Sequence, residues 1–530
     1  MTNNSPYATT SKLTLILALT LGALPALFLL ITSTAFLLEG EFVLDVKRLL
    51  QVFLLLTLFA TTASNQGLRD AFCEQVSKIP GWVLILSGFI ILVGMVSSFL
   101  NATSTVHAFY SLADVALLIM FVAASLVIAA CRQIAGILFD QVIISLLAFM
   151  VIAVGIQELI GVVAIANENL EYYSYIGFIH FSHPRFFNQL QSWTLPALAA
   201  IPLVFSFSKS EMLRNKWFSG LVCLVALALY WCLMLMSGGR GVVLCLLTSF
   251  VVCLLIFPAT RLVALRWHLP GLVLGIVMFF GAAQISQQSL LVGQAEKIPK
   301  AQNTLVGDSE NQELSKAAPA SEGRLMKQSV AGRLSLHSSG RTRLWRDSID
   351  EIRKLPFLGR GPMNYACEGR DSRPAHPHNF ALQFTGEWGL PAILMLIPIL
   401  IYLAIIIWRK QIRLGTSYEG KLGGLLTLSL VAAASYSLLS GILIMPSSQV
   451  AGILVCGWIL GLTKPSDSPS KSSQKIPALL LAFFVLTSAA TTMFTVAEFG
   501  KREIRELLIA PADQLKPRYW QQGKICKYLD

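Results

Sequence analysis

Charge is what this chain has least of. Only 13% of its 530 residues are Asp, Glu, Lys or Arg, against roughly 25% in an ordinary soluble protein. Acid is the scarcer sign, with 29 Asp and Glu against 41 Lys and Arg and a formal charge of +12. Such a composition excludes a soluble enzyme, a coiled coil and a disordered scaffold, all of which need much more polar sequence. No basic stretch interleaved with aromatic residues is present, so nucleic acid is not a partner. None of the nine cysteines stands in a CxxC or zinc-like spacing. Neither a metal nor a redox centre is indicated, and no cofactor is implied. One glycine-rich stretch, Gly415 to Lys421, imitates a phosphate-binding loop, but Leu422 stands where Ser or Thr is required and no strand precedes it. ATP-driven chemistry is therefore not inferred.

What the chain has in abundance is apolar sequence, 55% hydrophobic with a mean hydropathy of +0.65, gathered in long blocks. A hydrocarbon core of roughly 30 Å takes about 20 residues of helix. By that measure spans are predicted near 13–37, 48–63, 80–99, 108–130, 137–164, 192–207, 217–236, 241–257, 264–286, 380–407, 423–444, 449–463 and 476–497. The expected fold is an all-α polytopic integral membrane protein with about 12–13 transmembrane helices. Lys12 ahead of the first block gives it the outline of a signal peptide. No convincing cleavage site follows and a dozen more blocks do, so it reads as an uncleaved first helix.

Lys and Arg over the short loops set the orientation. With the N-terminus in the cytoplasm, the inside loops hold Arg69, Lys78, Arg132, Lys209, Arg214, Lys216, Arg261, Arg266, Arg409, Lys410, Arg413, Lys421, Lys464, Lys471 and Lys475. The short outside loops hold only Lys47, Arg48, Arg185 and Arg240. This divides the chain into N-terminal membrane helices (1–164), central helices with a first periplasmic loop and the SGGRG turn (165–286), and a long periplasmic loop (287–379). C-terminal membrane helices (380–497) and a periplasmic tail (498–530) complete it. The long loop starts polar and turns amphipathic at Arg343–Leu355. Only Cys367 and Cys526 clearly fall outside, in a compartment that permits disulfides. They are expected to pair, tying the tail to the segment before His378.

Six of the seven histidines, His107, His180, His183, His337, His376 and His378, lie outside in this topology, and only His268 lies inside. Polar groups concentrate there in three places. In the first, Arg185 leads Asn188 and Gln189 into an apolar helix, where polar groups are costly unless used; an ordinary interfacial loop would share this composition. In the second, Ser237, Gly238, Gly239, Arg240 and Gly241 form a tight turn between two apolar blocks. Its arginine either snorkels to cap the turn or forks onto phosphate oxygens with a charge that is never lost.

The third runs from His376 and His378 through Asn379, Gln383 and Glu387. The last three are spaced i, i+4, i+8 on one helix face, a stripe of about 12 Å, and must face other helices or a wet cavity. His378 stands at its mouth, where the positive helix end disfavours imidazolium. A neutral imidazole is the form a general base needs; surface histidines in a proline-rich turn, or an HxH metal pair lacking further ligands at a telling spacing, would show the same pattern.

With these residues in hand, the chain resembles the O-antigen ligase/O-antigen polymerase superfamily, which includes the bacterial protein O-oligosaccharyltransferases. The resemblance covers roughly residues 165–445. Its most specific part runs from Ser339, Gly340, Arg341, Arg343 and Trp345 through Pro356, Gly359 and Gly361 to His378, Asn379, Glu387 and Gly389. The turn at Ser237–Arg240 is similar to the family's S-x-S-R, with Gly239 in place of the second serine.

The resemblance implies a membrane glycan transferase that uses neither nucleotide sugar nor metal. Its donor would be a saccharide on undecaprenyl pyrophosphate at the periplasmic face of the inner membrane. Its acceptor would be lipid A–core for a ligase, another lipid-linked glycan repeat for a polymerase, or a protein for an oligosaccharyltransferase, with membrane lipid around the bundle. Pyrophosphate leaving groups need fixed positive charge where charge develops, which assigns Arg240 and Arg341, with Arg185 and Arg343 in support. His378 is the candidate base, and Asn379, Gln383, Glu387 and Gln189 would orient or bind glycan. A polysaccharide or lipid transporter is the rival of another class; such proteins tend to show internal repeats and helices broken at mid-membrane, and no repeat is seen here.

Overall fold

The computed structural model describes residues 11–34, 43–102, 104–167, 181, 184–301, 341–366, 376–462, 475–509 and 519. The expected Cys367–Cys526 pair, along with His180, His183, His337 and Ser339, lies outside the described residues. Those described are mostly helical, with no strand among them.

In chain order the helices are α1 (Lys12–Thr34), α2 (Val43–Ser64), α3 (Gln66–Ser77), α4 (Gly81–Leu100), α5 (Thr105–Ala135), α6 (Ile137–Asn167) and α7 (Pro184–Thr194). There follow α8 (Lys216–Met236), α9 (Arg240–Ile256), α10 (Pro258–Ala301), α11 (Arg341–Lys354), α12 (Phe380–Leu414), α13 (Tyr418–Ser437), α14 (Pro446–Gly461) and α15 (Lys475–Ile509). Eight of them, α1, α4, α5, α6, α8, α10, α12 and α15, contain stretches long and apolar enough to cross a membrane, and α9 and α14 are shorter apolar helices. The protein is a multi-pass membrane protein.

Local chemistry sets the boundaries. Ser104 caps α5 by accepting from the His107 amide, and Gly136 ends the helix at φ 59°, a value that costs glycine little. The block expected at 192–207 is not one helix. After α7 the chain continues as a 3-10 turn, Pro196–Ala200, and a short helix, Ile201–Phe205. Pro196 and Pro202 lack the amide hydrogens that a continuous helix would use.

α5 and α6 meet α1 and α14 in the buried centre. At the end of the bundle where α5 finishes, Arg132 forks onto Asp140 at 3.2 and 2.8 Å. The same carboxylate accepts from the Trp458 indole at 2.6 Å and the Tyr418 hydroxyl at 3.0 Å. Every polar arm of this buried carboxylate is satisfied, which is the condition under which a buried pair is tolerated. The groups discussed below gather at the other end.

Candidate active site

The site is assembled from four pieces of chain far apart in sequence. The first is α7. Its residues from Phe187 to Thr194 are all buried, and its polar side chains are directed at neighbouring elements. Asn188 Oδ1 accepts from the Ser237 hydroxyl at 2.8 Å, and Gln189 Nε2 donates to Ser440 Oγ at 3.0 Å. Gln191 Nε2 donates to the Tyr230 carbonyl at 2.9 Å. Among the described residues, the buried Asn188 Nδ2 and Gln189 Oε1 have no hydrogen-bond partner. Buried polar groups in that state are uncommon and call for a reason.

The second piece is the turn between α8 and α9. Gly238 takes φ 61°, and a Cβ on Gly239 would collide with Asn188 Nδ2. The chain therefore needs glycine at both positions, one for the left-handed backbone and one for the close approach. The hydroxyl interaction with α7 falls to Ser237, and Arg240 opens α9, exposed.

The third piece is α11, which begins at Arg341. Burial and the nearby Arg185 guanidinium hold the Arg341 pKa below its usual value, with Arg240 adding to the effect, while Tyr436 and Cys245 oppose it. The guanidinium keeps its charge all the same. Cations from α7 and the α8–α9 turn thus both act on the one that opens α11. Arg343 is exposed on α11 and is not among the charges acting on Arg341.

The fourth piece joins α11 to α12. Gly389 interrupts α12 with φ 83°, ψ 166°. The turn segment 356–361 lies in the break, and Leu390 donates to the Pro356 carbonyl at 2.7 Å. The Arg360 and Gly361 amides donate to the Gly386 and Glu387 carbonyls, both at 2.9 Å. A Cβ on Gly389 would strike the Phe357 carbonyl oxygen, and one on Gly359 would lie 2.6 Å from the Glu387 backbone. These glycines permit backbone-to-backbone docking. Ser97 of α4 and Ser111 of α5 donate to the Leu358 and Pro362 carbonyls, each at 2.7 Å, which holds the segment against the bundle.

The histidine pair sits directly before α12. Asn379 is the N-cap, accepting from the Leu382 amide at 3.0 Å and donating to the Leu438 carbonyl at 3.2 Å. Both arms of its amide are thus used in positioning the helix start. His378 takes φ 56°, a strained value for a residue with a Cβ. Its amide donates to His376 Nδ1 at 3.2 Å, and the two rings meet edge to face at 4.2 Å. Accepting at Nδ1 leaves the ring proton of His376 on Nε2. His376 is buried against Gly441, whereas His378 is half-buried. Trp345, one turn after Arg341, donates its indole hydrogen to the Pro377 carbonyl at 3.2 Å, so α11 is docked onto the histidine segment.

The helix-face stripe continues inward. Gln383 Nε2 is 3.4 Å from Glu387 Oε2, and Glu387 Oε1 accepts from the Tyr365 amide at 3.3 Å. Both line a cavity of about 130 Å³ whose wall also includes Arg48, Asp114, Ser440 and Gln449. Of these four, none was singled out as a site residue by sequence. Arg48 is buried, with bonds to Gln51 Oε1 at 2.5 Å, Gln449 Oε1 at 2.7 Å and the Ile444 carbonyl at 2.7 Å. Gln449 and Ile444 are hundreds of positions away, and the local signal was a charged residue at the edge of an apolar block.

Of the residues expected from sequence, then, Arg185, Arg240 and Arg341 come together, as do His378, Asn379, Gln383 and Glu387. Trp345 couples the two groups, and Gln189 reaches the cavity wall through Ser440.

No curated protein matches the chain. Residues 223–397 match the family model described as O-antigen ligase. That stretch contains the α8–α9 turn, α11, the 356–361 segment, the histidine pair and the polar start of α12. Over residues 223–397, about a third of its length, the chain is similar to the O-antigen ligase family.

Proposed function

We propose that this protein transfers a saccharide from undecaprenyl pyrophosphate to an acceptor hydroxyl, lipid A–core foremost, at the periplasmic face of the inner membrane. The observation that carries the reading is the crowding of Arg185, Arg240 and Arg341 beside the His376–His378 pair. Like charges held near one another favour an anion among them, and a diphosphate is the anion that a glycan donor brings.

In this reaction the acceptor hydroxyl gives its proton to the His378 imidazole as its oxygen bonds to the anomeric carbon of the donor. The bond from that carbon to the pyrophosphate oxygen breaks, and the electron pair leaves with the diphosphate. The three guanidinium groups neutralise the charge that develops, the role in which fixed charges contribute most. A single displacement inverts the anomeric centre. His376 fixes the backbone of His378 through its Nδ1, and Asn379 sets the start of α12 beneath it.

The test is transfer by purified protein in nanodiscs, supplied with polyprenyl-pyrophosphate saccharide and lipid A–core. His378→Ala and Arg341→Ala should each lower kcat by roughly 10²–10³ with normal protein levels. Unchanged turnover in both overturns the reading. Deleting the gene identifies the acceptor. Loss of long-chain lipopolysaccharide with lipid-linked polymer retained marks a ligase, single-repeat products mark a polymerase, and an unglycosylated exported protein marks an oligosaccharyltransferase.

A further inference from the structure

None of the three arginines Arg185, Arg240 and Arg341 lines the cavity, and the end of α13 with the turn after it links the two places. Tyr436 lies within electrostatic reach of Arg185 and Arg341, while Ser440 and Gly441 line the cavity. Two successive residues of α7 tie the two places together, Asn188 bonding Ser237 of the arginine turn and Gln189 bonding Ser440. The His376 ring rests on Gly441, which places the histidine pair at the boundary.

The cavity has a different chemistry from the arginine side. Its polar lining includes Asp114, Glu387, Arg48, Gln383 and Gln449, with aromatic walls including Phe384 and Trp388. A diphosphate would meet two carboxylates there, and a prenyl chain would meet buried charges, so neither end of the donor suits it. Carboxylates, amides and a guanidinium held at fixed angles over flat apolar faces suit vicinal hydroxyls and the apolar faces of a sugar. The polar groups are held in place. Gln449 donates to the Leu443 carbonyl at 2.6 Å and accepts from Arg48 and from Gln51 Nε2, the latter at 2.9 Å. A volume of about 130 Å³ far exceeds the roughly 10–15 Å³ that a single water needs.

We propose that this cavity is a saccharide subsite that receives the hydroxyl-bearing sugar of the acceptor, with Asp114, Gln449 and Arg48 among its recognition groups. The assignment rests on the transferase reading above. It gives an inverting displacement the layout it requires, since the nucleophile approaches the face of the donor sugar opposite the leaving group. Leaving diphosphate on the arginine side and incoming hydroxyl on the cavity side meet that demand across the histidines.

The experiment uses the full chain in nanodiscs and two probes, deacylated lipid A–core oligosaccharide and undecaprenyl pyrophosphate, titrated calorimetrically against wild type, Asp114→Asn and Gln449→Leu. Each variant removes or misplaces one half-buried polar group of the cavity lining, which weakens oligosaccharide binding roughly tenfold and leaves undecaprenyl pyrophosphate binding unchanged. Gln449→Glu is the stand-in should Gln449→Leu fail to fold, and thermal unfolding reports that. Oligosaccharide affinity that is unaltered in folded variants overturns the subsite, as does an equal loss for both probes. Wild type that binds undecaprenyl pyrophosphate but no oligosaccharide also overturns the subsite, leaving the donor side of the reaction standing. Wild type that binds oligosaccharide but no undecaprenyl pyrophosphate sinks the transferase reading instead.

Discussion

The indole nitrogen of Trp345 and the carbonyl of Pro377, 32 positions apart, are joined by a 3.2 Å hydrogen bond. Trp345 follows Arg341 by one helical turn, so the bond fixes how far the guanidinium stands from His378. Trp345→Phe keeps the ring and deletes the donor, which strands a half-buried carbonyl at about 1 kcal/mol. The expected outcome is a fall in kcat of roughly fivefold to tenfold with little change in thermal stability. Steady-state kinetics alongside an unfolding curve separates this from general destabilisation.

The three arginines should behave as one unit. Arg185 and Arg240 both act on Arg341, so removing one relieves repulsion among the others while weakening their grip on an anion. Arg185→Ala and Arg341→Ala should each lower turnover, and the double variant should lose much less than the product of the two single losses. Arg341→Lys should recover only part, because an ammonium keeps the charge without the planar fork. A multiplicative double variant would show that the two guanidinium groups serve separate anions.

The break in α12 gives a sharp stability prediction. Gly389→Ala puts a methyl group into the Phe357 carbonyl at a backbone angle of φ 83°. It should destabilise the protein by several kcal/mol and release the 356–361 segment, which protease sensitivity would reveal. Gly386→Ala, three positions earlier, meets only Ile352 at 3.8 Å and serves as the control, with near-normal stability.

Those glycines show what the sequence could and could not disclose. Pro356, Gly359, Gly361 and Gly389 stood out through the family resemblance, and each of the three glycines takes a positive φ. The long apolar helices were equally plain, because twenty residues without charge admit few alternatives. Asp114, Gln449 and Arg48 were hidden. Arg48 reaches Gln449 across 401 positions, and in sequence it is one more basic residue beside a span. Arg185 stood only in support of Arg240 and Arg341, and it is the packing of α7 against the α8–α9 turn that brings it to Arg341. The proline break after α7 was legible in principle, but the apolar run around it masked Pro196 and Pro202.

Gly239 offers a test in which the structure and the family resemblance disagree about a substitution. Where relatives of the S-x-S-R type carry a second serine, this chain has glycine, and restoring the serine would look conservative. The Cβ it adds would run into Asn188 Nδ2, and Asn188 is fully buried and held by Ser237 at 2.8 Å. Gly239→Ser should therefore displace Asn188, shift α7 and lower turnover by at least tenfold, about 1–3 kcal/mol of overpacking strain. Shortening the obstacle should repair it, so Gly239→Ser with Asn188→Ser should regain most of the lost rate. Asn188→Ser alone should be mildly impaired through loss of its bond to Ser237. A Gly239→Ser single variant with wild-type kinetics would mean that the turn has slack which the tight Asn188–Gly239 packing denies.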